Sequence, residues 1–352
     1  MPSYKDETRG TWFCKFAYTD WTGQRRQKLK RGFSTKREAA AWERNYLEQQ
    51  QGNPDMTFQA LYDLYLEDIT QRLRTTTVAN KTTLFGHYIL AVFRSKQINE
   101  ISPADIRKWQ NGVIQSGAKP TYQRVINNQL NTIFNFAVKY YGLSRNPCTI
   151  TGPMGKASAG KMEFWTLEEF NQFLPHVKDQ EDKLAFQLLF FSGIRLGEML
   201  ALNPNTDIDL QNNLLHITKT YTRLNKQDII TAPKTEHSIR TVTIPPFLSE
   251  YIREYMTHVY HVEQMERLFI NLTKWNLAYA LARACQLSGV KRIRLHDLRH
   301  SHVSLLINMG LPPLLIAERI GDSVEMINRI YGHLYPNRHV EVADKLQELV
   351  SN

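Results

Sequence analysis

The sequence predicts a multidomain protein that is mainly α-helical with small β elements. Its 352 residues are enough for two or three domains, and 42% of them are hydrophobic, so a full core can be buried. The first 50 residues have an extended, basic pattern, residues 56–150 a helical pattern, and the chain from residue 163 a mixed one. We therefore expect three domains, at residues 1–50, 56–150 and 163–352.

The first domain is predicted to be a β-ribbon followed by a helix. Residues 12–18 and 24–33 are β-rich stretches joined by a turn. Thr35 begins a capping box, which marks the start of a helix. On that helix Trp42 and Tyr46 share one face, and we expect this face to pack against the ribbon.

The same segment is strongly basic. Eleven Lys and Arg residues against six Asp and Glu residues leave a net charge of +5 in the first 50 positions. Aromatic and basic side chains alternate there, which favours contact with a DNA groove over a merely solvated basic ribbon. The candidate DNA-binding residues of the ribbon are Arg25, Arg26, Lys28, Lys30 and Arg31.

The second domain is predicted to be entirely helical. Two stretches carry apolar side chains at helical spacing, and a capping box at Ser102 and Asp105 starts a further helix. The first stripe consists of Phe58, Leu61, Tyr62, Tyr65, Leu66 and Ile69, and the second of Leu130, Ile133, Phe134, Ala137, Val138 and Tyr141. Stripes of this kind form a core rather than a cofactor site.

The clearest domain boundary is predicted at residues 150–162, which are rich in Gly, Ala and Lys. Gly155 and Lys161 have the spacing of a phosphate-binding loop, but Met162 stands where a Ser or Thr would bind Mg²⁺, and no strand precedes the segment. A flexible basic linker, with Lys156 and Lys161 crossing a DNA backbone, explains the composition better.

Charge and cysteine content narrow the class of protein. The formal charge of +10 and the pI near 9.4 favour a polyanionic partner, with nucleic acid ahead of an anionic membrane. Three widely spaced cysteines form neither a disulfide framework nor a metal knuckle. The N-terminus lacks the apolar core of a signal peptide, and no stretch is apolar enough to span a membrane. We therefore expect a cytoplasmic protein.

Arg195 is the first candidate for chemistry. It lies in FSGIRLGEMLAL, just after an apolar helical stretch that would normally be buried, and residues 183–202 as a whole are predicted to be helical. A buried arginine stays charged and needs an anionic partner. Glu198, three residues later, can hold part of the guanidinium, and the remaining donors can bind a phosphate. A purely structural Arg195–Glu198 pair is the alternative.

The segment HDLRHSH at residues 296–302 is the second candidate. His296 and Arg299 are three residues apart, which places them on one face of a helix. A neutral imidazole beside a fixed cation suits a phosphate whose oxygens gain charge during reaction. His300 and His302 also suggest a metal, but no Cys or suitably spaced carboxylate joins them, so we predict no metal site.

The third candidate is the segment RIYGHLYP at residues 329–336. Tyr331 follows a short helical stretch at 325–330, and its hydroxyl can attack phosphorus to form a phosphotyrosine ester. Taken alone, Tyr331 or Tyr335 is more often an ordinary half-buried aromatic residue.

Together these segments resemble the active-site boxes of the tyrosine recombinase, or phage integrase, family. The boxes are SGIRLGE, LHDLRHSH and IYGHLYP, in the family's order and spacing. TAPKTEHSIRTVTIP resembles the family's β-hairpin, with Lys234 at the position of its catalytic lysine. The resemblance covers the last 190 or so residues closely and the first 150 by architecture, as an arm-type DNA-binding domain and a helical core-binding domain. The layout is similar to that of integrases of temperate phages and conjugative transposons.

The resemblance implies a mechanism without a cofactor. Arg195 and Arg299 would clamp the scissile phosphate, His296 would hydrogen-bond it and assist proton transfer, and Lys234 would protonate the departing 5′ oxygen. Tyr331 would become linked to the 3′ phosphate, and this ester conserves the bond energy for rejoining. The arginines and the lysine would take the place of metal cations.

The resemblance also implies partners. These are double-stranded DNA with core and arm sites, further copies of the chain in a tetramer on that DNA, and, beyond those, an excisionase and a host DNA-bending protein. An apolar face at residues 342–350 predicts a C-terminal assembly helix, which docks either on its own domain or on a neighbouring protomer.

One position departs from the family pattern. The family usually has His or Trp, a hydrogen-bond donor to the phosphate, where this chain has Asp322. An ionised carboxylate cannot donate. We expect Asp322 to neutralise a neighbouring cation, and a position outside the site altogether is the alternative. His333 and His302 are then the candidate donors. A type IB topoisomerase and a catalytically inactive DNA-binding regulator are the competing functions.

Overall fold

The computed structural model describes residues 3–7, 10–19, 25–50, 55–158, 160, 162–224, 227–233, 236–258, 266–335 and 347. The chain divides into two compact units, residues 1–160 and 161–352. The division falls inside the segment 150–162. Mainly helical structure with small sheets confirms the predicted fold class.

The first unit begins with a three-stranded antiparallel sheet and one helix. Its elements are β1 (Ser3–Asp6), β2 (Thr11–Thr19), β3 (Arg25–Phe33) and α1 (Lys36–Gln50). The sheet order is β1-β2-β3. Strand β1 was not predicted, because four residues carry too little periodicity and the strand exists through its pairing with β2.

Helix α1 packs on one face of this sheet, as predicted. Glu38 donates its backbone N–H to the Thr35 hydroxyl at 3.1 Å and so completes the helix start. Phe16 packs against Trp42 and Tyr46 of the helix, with ring centroids 6.1 and 5.5 Å apart. Cys14, which is fully buried, completes this small core.

The rest of the first unit is helical. Its elements are α2 (Phe58–Arg72), α3 (Thr75–Leu84), a π-helical turn (Phe85–Ile89), α4 (Leu90–Phe93), α5 (Pro103–Gln115), α6 (Pro120–Tyr140) and α7 (Pro147–Thr151). The capping box of Ser102 and Asp105 is present at the start of α5. The two predicted stripes form the core, except that Leu66 and Tyr141 are only partly buried and Val138 is exposed.

The predicted flexible linker is in fact packed over its first half. Met154 is buried in the core of the helical domain. Gly155 has φ +72° and lies so close to the carbonyl of Pro120 that a Cβ there would collide with it. Lys156 donates its backbone N–H to the same carbonyl at 3.0 Å, while its side chain is exposed. These contacts are tertiary, so composition alone did not reveal them.

The second unit surrounds two small β structures with helices. A sheet with order β4-β5-β8 and a separate hairpin β6–β7 lie between its first and later helices. The strands are β4 (Ile208–Asp209), β5 (Leu214–Ile217), β6 (Thr220–Leu224), β7 (Gln227–Thr231) and β8 (Arg240–Thr243). The helices are α8 (Leu167–Phe173), α9 (Gln180–Ser192), α10 (Leu196–Met199), α11 (Pro246–Thr257), α12 (Lys274–Ser288), α13 (Asp297–Asn308), α14 (Pro313–Ile320) and α15 (Val324–Tyr331).

Two apolar clusters hold this unit together. The larger one is rich in aromatic side chains of α8 and α9, including a stacked pair, Phe170 and Phe190, with centroids 3.9 Å apart. The smaller one joins α13, α14 and α15, and it includes Tyr331. The smaller cluster therefore ties the predicted nucleophile to the helix that carries Arg299.

The prediction of one continuous helix through residues 183–202 is wrong. Helix α9 ends at Gly193, which has φ +67°, and α10 begins after Arg195. Gly193 lies against the ring of the buried His302, and a Cβ would collide with that ring. The break is not evident from the sequence, because the residues on both sides of it are mainly apolar.

Among the described residues, no helix is both long and apolar enough to cross a membrane. The predicted C-terminal helix at 342–350 lies outside the described residues, apart from residue 347.

Candidate active site

Arg195 is placed by the break between α9 and α10. As the N-cap residue of α10 it leaves the helix direction, and its side chain is 34% exposed rather than buried. Its backbone N–H donates to Glu198 Oε2 and its Nη1 to Glu198 Oε1, both at 2.9 Å. Its Nη2 donates to the Gly321 carbonyl at 3.1 Å. The guanidinium is thus held on two sides and still reaches solvent.

Glu198 is held in turn by an arginine that sequence reasoning missed. Arg240 donates from Nη2 to Glu198 Oε2 at 2.9 Å, and both side chains are almost fully buried. Burial of Glu198 favours its neutral form, but the hydrogen bond and charge of Arg240 outweigh burial and hold the pKa of Glu198 below its usual value. The alternation of side chains along the strand could have indicated this role, because Arg240 lies two residues before the buried Val242 and so points to the same, inward face.

Arg299 lies in the first turn of α13 and is only 5% exposed. It donates from Nη1 to the Gly193 carbonyl at 2.8 Å, so the αL turn that ends α9 orients this guanidinium. Burial, together with the positive charge of Arg195, lowers the pKa of Arg299 to about 10. Arg299 therefore remains charged at neutral pH and attracts an anion.

Asp322 connects the two arginines. Its Oδ2 lies 3.5 Å from Nη2 of Arg195 and 3.4 Å from Nη2 of Arg299. Gly321, with φ +66°, ends α14 and turns the chain toward them. Three guanidiniums, those of Arg195, Arg299 and Arg240, face two carboxylates here, which leaves one positive charge in excess. One acidic oxygen thus occupies the point on which both arginines converge.

The three histidines of the second box have different surroundings. His296 is the N-cap residue of α13, just before the helix, and it is exposed. Burial of part of its ring and the charge of Arg299 lower its pKa, which favours the neutral imidazole. His300 is buried, and its Nδ1 forms a hydrogen bond with the Tyr331 hydroxyl.

His302 does not suit the role of a phosphate donor. Its Nδ1 is 2.8 Å from the Phe190 carbonyl, and its Nε2 receives a hydrogen bond from Arg319 at 3.1 Å. Both ring nitrogens are therefore occupied by protein groups. Burial, with Arg319 and despite the Phe190 carbonyl, lowers its pKa to about 3. His302 is a neutral structural residue that packs against Gly193.

The other candidate donor, His333, is exposed on the 3-10 turn Gly332–Leu334. None of the hydrogen bonds that the described residues form joins it to Arg195 or Arg299.

Tyr331 is the last residue of α15 and is 3% exposed. Burial raises its pKa well above the usual value, although the charge of Arg299 opposes this. Tyr335, by contrast, follows the 3-10 turn and is only partly buried. The structure thus brings together Arg195, Glu198, Arg299, Asp322 and Tyr331 around one end of α13.

Lys234 lies outside the described residues, as does Lys161. The flanking strands are described: β7 ends at Thr231 and β8 begins at Arg240. Because Arg240 reaches Glu198, the segment between these strands, which contains Lys234, ends beside the arginine site.

The basic residues of the ribbon are divided between the two faces of the N-terminal sheet. Lys28 pairs with Phe16 and Lys30 with Cys14, so both lie on the face that α1 covers, at its exposed margin. Nζ of Lys28 lies 5.2 Å from the Tyr46 ring centre.

The opposite face of that sheet is open. Arg31 pairs with Phe13 and lies 5.7 Å from its ring centre, and Tyr4 stacks on Phe13. Arg25 shares this face by alternation and is exposed. The side chain of Arg26 lies outside the described residues. The open face therefore carries Arg31 beside the stacked rings of Tyr4 and Phe13, and Arg25 at the opposite end of β3.

Neither alternative ligand site is supported. Met162 packs against the smaller apolar cluster, and the Gly155 turn is closed by Pro120, so this segment does not have the form of a phosphate loop. Within the described ranges no group of three or more His, Cys, Asp or Glu side chains is arranged to hold a metal ion.

Family descriptions match most of the chain. Residues 163–338 match the Phage integrase family, residues 57–114 the N-terminal SAM-like domain of phage integrases, and residues 2–50 an Arm DNA-binding domain. The matches thus cover most of the second unit, the N-terminal sheet and helix, and the first part of the helical domain.

Individual relatives agree with these matches. The chain is 31% identical over 318 residues to the ICEBs1 integrase of Bacillus subtilis (strain 168), which covers 84% of each protein. It is 26% identical over 356 residues to a Tyrosine recombinase XerC-like protein of Caldanaerobacter subterraneus, which covers 90% of each.

Solved structures share the fold. The Tn1549 transposon integrase in complex with circular intermediate DNA superposes with a TM-score of 0.68 at 16% identity, over 84% of this chain and 100% of that one. A lambda integrase dimer bound to a core site gives 0.59 at 16% identity, over 96% and 95%. With its family match over residues 163–338, its 31% identity to an integrase over 84% of both chains, and the convergent arginines, this chain belongs to the phage integrase family, the site-specific tyrosine recombinases of mobile elements.

Proposed function

We propose that this integrase cuts DNA through Tyr331 while Arg195 and Arg299 hold the scissile phosphate. The observation that carries the proposal is the shared Asp322 oxygen, which lies within 3.5 Å of a terminal nitrogen of each arginine. Two guanidiniums that converge on one anionic oxygen are placed to bind two oxygens of a phosphate and to stabilise its transition state.

In the cleavage step the Tyr331 oxygen bonds to phosphorus, and the bond from phosphorus to the 5′ oxygen breaks. Lys234 supplies the proton that the 5′ oxygen takes up, and His296 hydrogen-bonds the phosphate and assists proton transfer. The product is a 3′-phosphotyrosine ester and a 5′ hydroxyl. Attack by a 5′ hydroxyl of a partner strand reverses the step and rejoins the DNA, so no energy source is consumed.

Asp322 is assigned a role as the local counter-ion of the two arginines rather than as a ligand of the phosphate. A carboxylate carries no proton to donate and repels an anion. Asp322→Asn should therefore lower single-turnover cleavage only modestly, and Asp322→His should be tolerated because imidazole adds a donor. A loss on the order of 10²- to 10³-fold in Asp322→Asn, the typical cost of removing a transition-state donor, contradicts this assignment.

The N-terminal domain is assigned to arm sites and the helical domain to core sites of the DNA, with Lys156 and Lys161 contacting the backbone between them. Support for the arm assignment comes from the open sheet face, where Arg31 lies beside Phe13 and Arg25 lies at the opposite end of β3. A lambda integrase tetramer is bound to a Holliday junction in a structure of TM-score 0.59, which supports a tetrameric synapse here. An excisionase and a host DNA-bending protein complete the proposed assembly on cytoplasmic DNA.

A nicked suicide substrate tests the central assignment. The intact protein is incubated with core-site DNA, and a covalent adduct is sought on a denaturing gel. Tyr331→Phe should abolish the adduct, whereas the matched control Tyr335→Phe should retain it. An adduct that survives Tyr331→Phe and disappears with Tyr335→Phe rules out Tyr331 as the nucleophile.

The role of Lys234 has its own test. A 5′-bridging phosphorothiolate leaves without a proton, so this substrate should restore cleavage by Lys234→Ala and not by Arg195→Ala. Equal behaviour of the two variants on both substrates contradicts the general-acid role.

A further inference from the structure

The hydroxyl of Tyr331 forms a hydrogen bond with a histidine that has no role in the mechanism proposed above. Its partner is Nδ1 of His300, the residue that follows Arg299 on α13. Tyr331 is 3% exposed and His300 is 9% exposed, so bulk water has little access to this contact. When the phenol oxygen attacks phosphorus, its proton must therefore pass to a protein group or to the substrate.

The carboxylate of Asp297 indicates which partner donates. Asp297 Oδ1 lies 3.9 Å from Nε2 of His300, on the side of the ring away from Tyr331. A neutral imidazole with its hydrogen on Nε2 directs that hydrogen toward the carboxylate, whereas the other tautomer sets a lone pair against it. The Nε2–H tautomer leaves Nδ1 as an acceptor, so Tyr331 donates to His300.

The charges around His300 keep it neutral before DNA binds. Burial and the neighbouring His296, whose ring centre is 5.0 Å away, lower the pKa of His300 to about 4, with further lowering by Arg294 and Arg299. Asp297, itself paired with Arg294 at 2.7 Å, acts in the opposite direction. A bound phosphate adds negative charge beside these groups and so favours the imidazolium.

We propose that His300 is a catalytic residue, the base that takes the Tyr331 proton during cleavage. As the bond from the phenol oxygen to phosphorus forms, the O–H bond breaks and the proton moves to Nδ1, while Asp297 stabilises the imidazolium from the Nε2 side. On rejoining, the departing phenol oxygen takes the same proton back. The arrangement is a nucleophile, a base and an orienting carboxylate in sequence. His296, which is exposed, is left for the phosphate. The inference rests on Tyr331 as the proposed nucleophile.

Two variants separate proton acceptance from positioning. His300→Asn keeps an amide oxygen near the position of Nδ1 but accepts no proton, and His300→Ala leaves a cavity. Both should bind core DNA normally and lower single-turnover cleavage by about 10²- to 10⁴-fold, the usual range for general acid–base catalysis. Added imidazole should restore part of the rate in His300→Ala and none in His300→Asn. His216→Gln, at a partly buried histidine on β5, is the matched control and should cleave normally.

A second measurement distinguishes loss of the base from misfolding of the His300 variants. A fluorinated tyrosine at position 331 has a more acidic phenol, which depends less on a base. The rate ratio between intact protein and the His300 variants should therefore shrink with this residue, and the effect of imidazole should shrink with it. An undiminished rate in His300→Asn overturns the proposal. So does a loss that is the same for both phenols and is not rescued, since a structural defect behaves in that way.

Failure of this inference is distinguishable from failure of the proposed function. If the protein with intact His300 forms no adduct through Tyr331, the nucleophile assignment is wrong. If that adduct forms and the His300 variants show either overturning result, only the base assignment is wrong.

Discussion

Gly193→Ala should damage both stability and cleavage, and Gly289→Ala provides a matched control. Both glycines end a helix in the left-handed conformation, with φ +67° and +73°. The two substitutions therefore share a backbone cost of about 1–2 kcal/mol. They differ in space, because a Cβ at Gly193 collides with the ring of His302, whereas a Cβ at Gly289 meets nothing within 4 Å.

The collision sets the expected difference. His302 is buried and bonded at both ring nitrogens, so it cannot move aside freely. Overpacking of such a site costs about 1–3 kcal/mol, so Gly193→Ala should lose roughly 2–5 kcal/mol in total against 1–2 kcal/mol for Gly289→Ala. The Gly193 carbonyl also orients Arg299 at 2.8 Å, so cleavage should fall in Gly193→Ala alone.

Hydrogen exchange in rising urea, read by mass spectrometry at amides of α9 and α12, measures the free energy of unfolding in the intact protein. Single-turnover cleavage of a core site measures the activity. Equal destabilisation by the two substitutions would falsify the packing argument. Normal cleavage by a folded Gly193→Ala protein would show that the carbonyl does not position Arg299.

Three further outcomes are expected. Arg240→Met should destabilise the catalytic unit by about 3–5 kcal/mol, because it leaves the buried Glu198 carboxylate without its arginine partner. In a double-mutant cycle measured by urea unfolding, adding Glu198→Gln should recover part of this loss. Simple additivity of the two substitutions contradicts the pairing. The pKa of Glu198 is lower in the folded than in the unfolded protein, so the ionised carboxylate stabilises the fold fully above the ordinary pKa of about 4.5, and this stabilisation is lost as the pH falls through the folded pKa. Glu198→Gln should therefore weaken the fall in unfolding free energy at acid pH. An unchanged fall contradicts the assignment of this pH dependence to Glu198. Deleting residues 1–50 should spare core-site cleavage and abolish integration, and binding of arm DNA by the intact protein should weaken steeply with salt; arm binding that persists after the deletion rules out this domain as the reader.

Local signals determined much of the fold. The stripe on α2, the capping box at Ser102 and the aromatic face of α1 were all predicted, because each depends on residues that are close together in the sequence. The convergence of the arginine and tyrosine boxes followed from the family resemblance and not from periodicity. Strand β1 was not predicted from the sequence, because its stability comes from pairing with β2.

The sequence by itself determined which residue types are available for phosphoryl transfer, the fold class and the family. Only the tertiary structure decided how they are used. It broke the helix at Gly193, which turned a predicted buried Arg195 outward, and it placed Arg240 behind Glu198 and the Asp322 oxygen between two guanidiniums. It also placed the Tyr331 hydroxyl in a hydrogen bond with His300, and both ring nitrogens of His302 in hydrogen bonds with other protein groups. These contacts join residues up to 127 positions apart, and no local pattern encodes them, because each arises between helices, strands and turns that meet only in the folded unit.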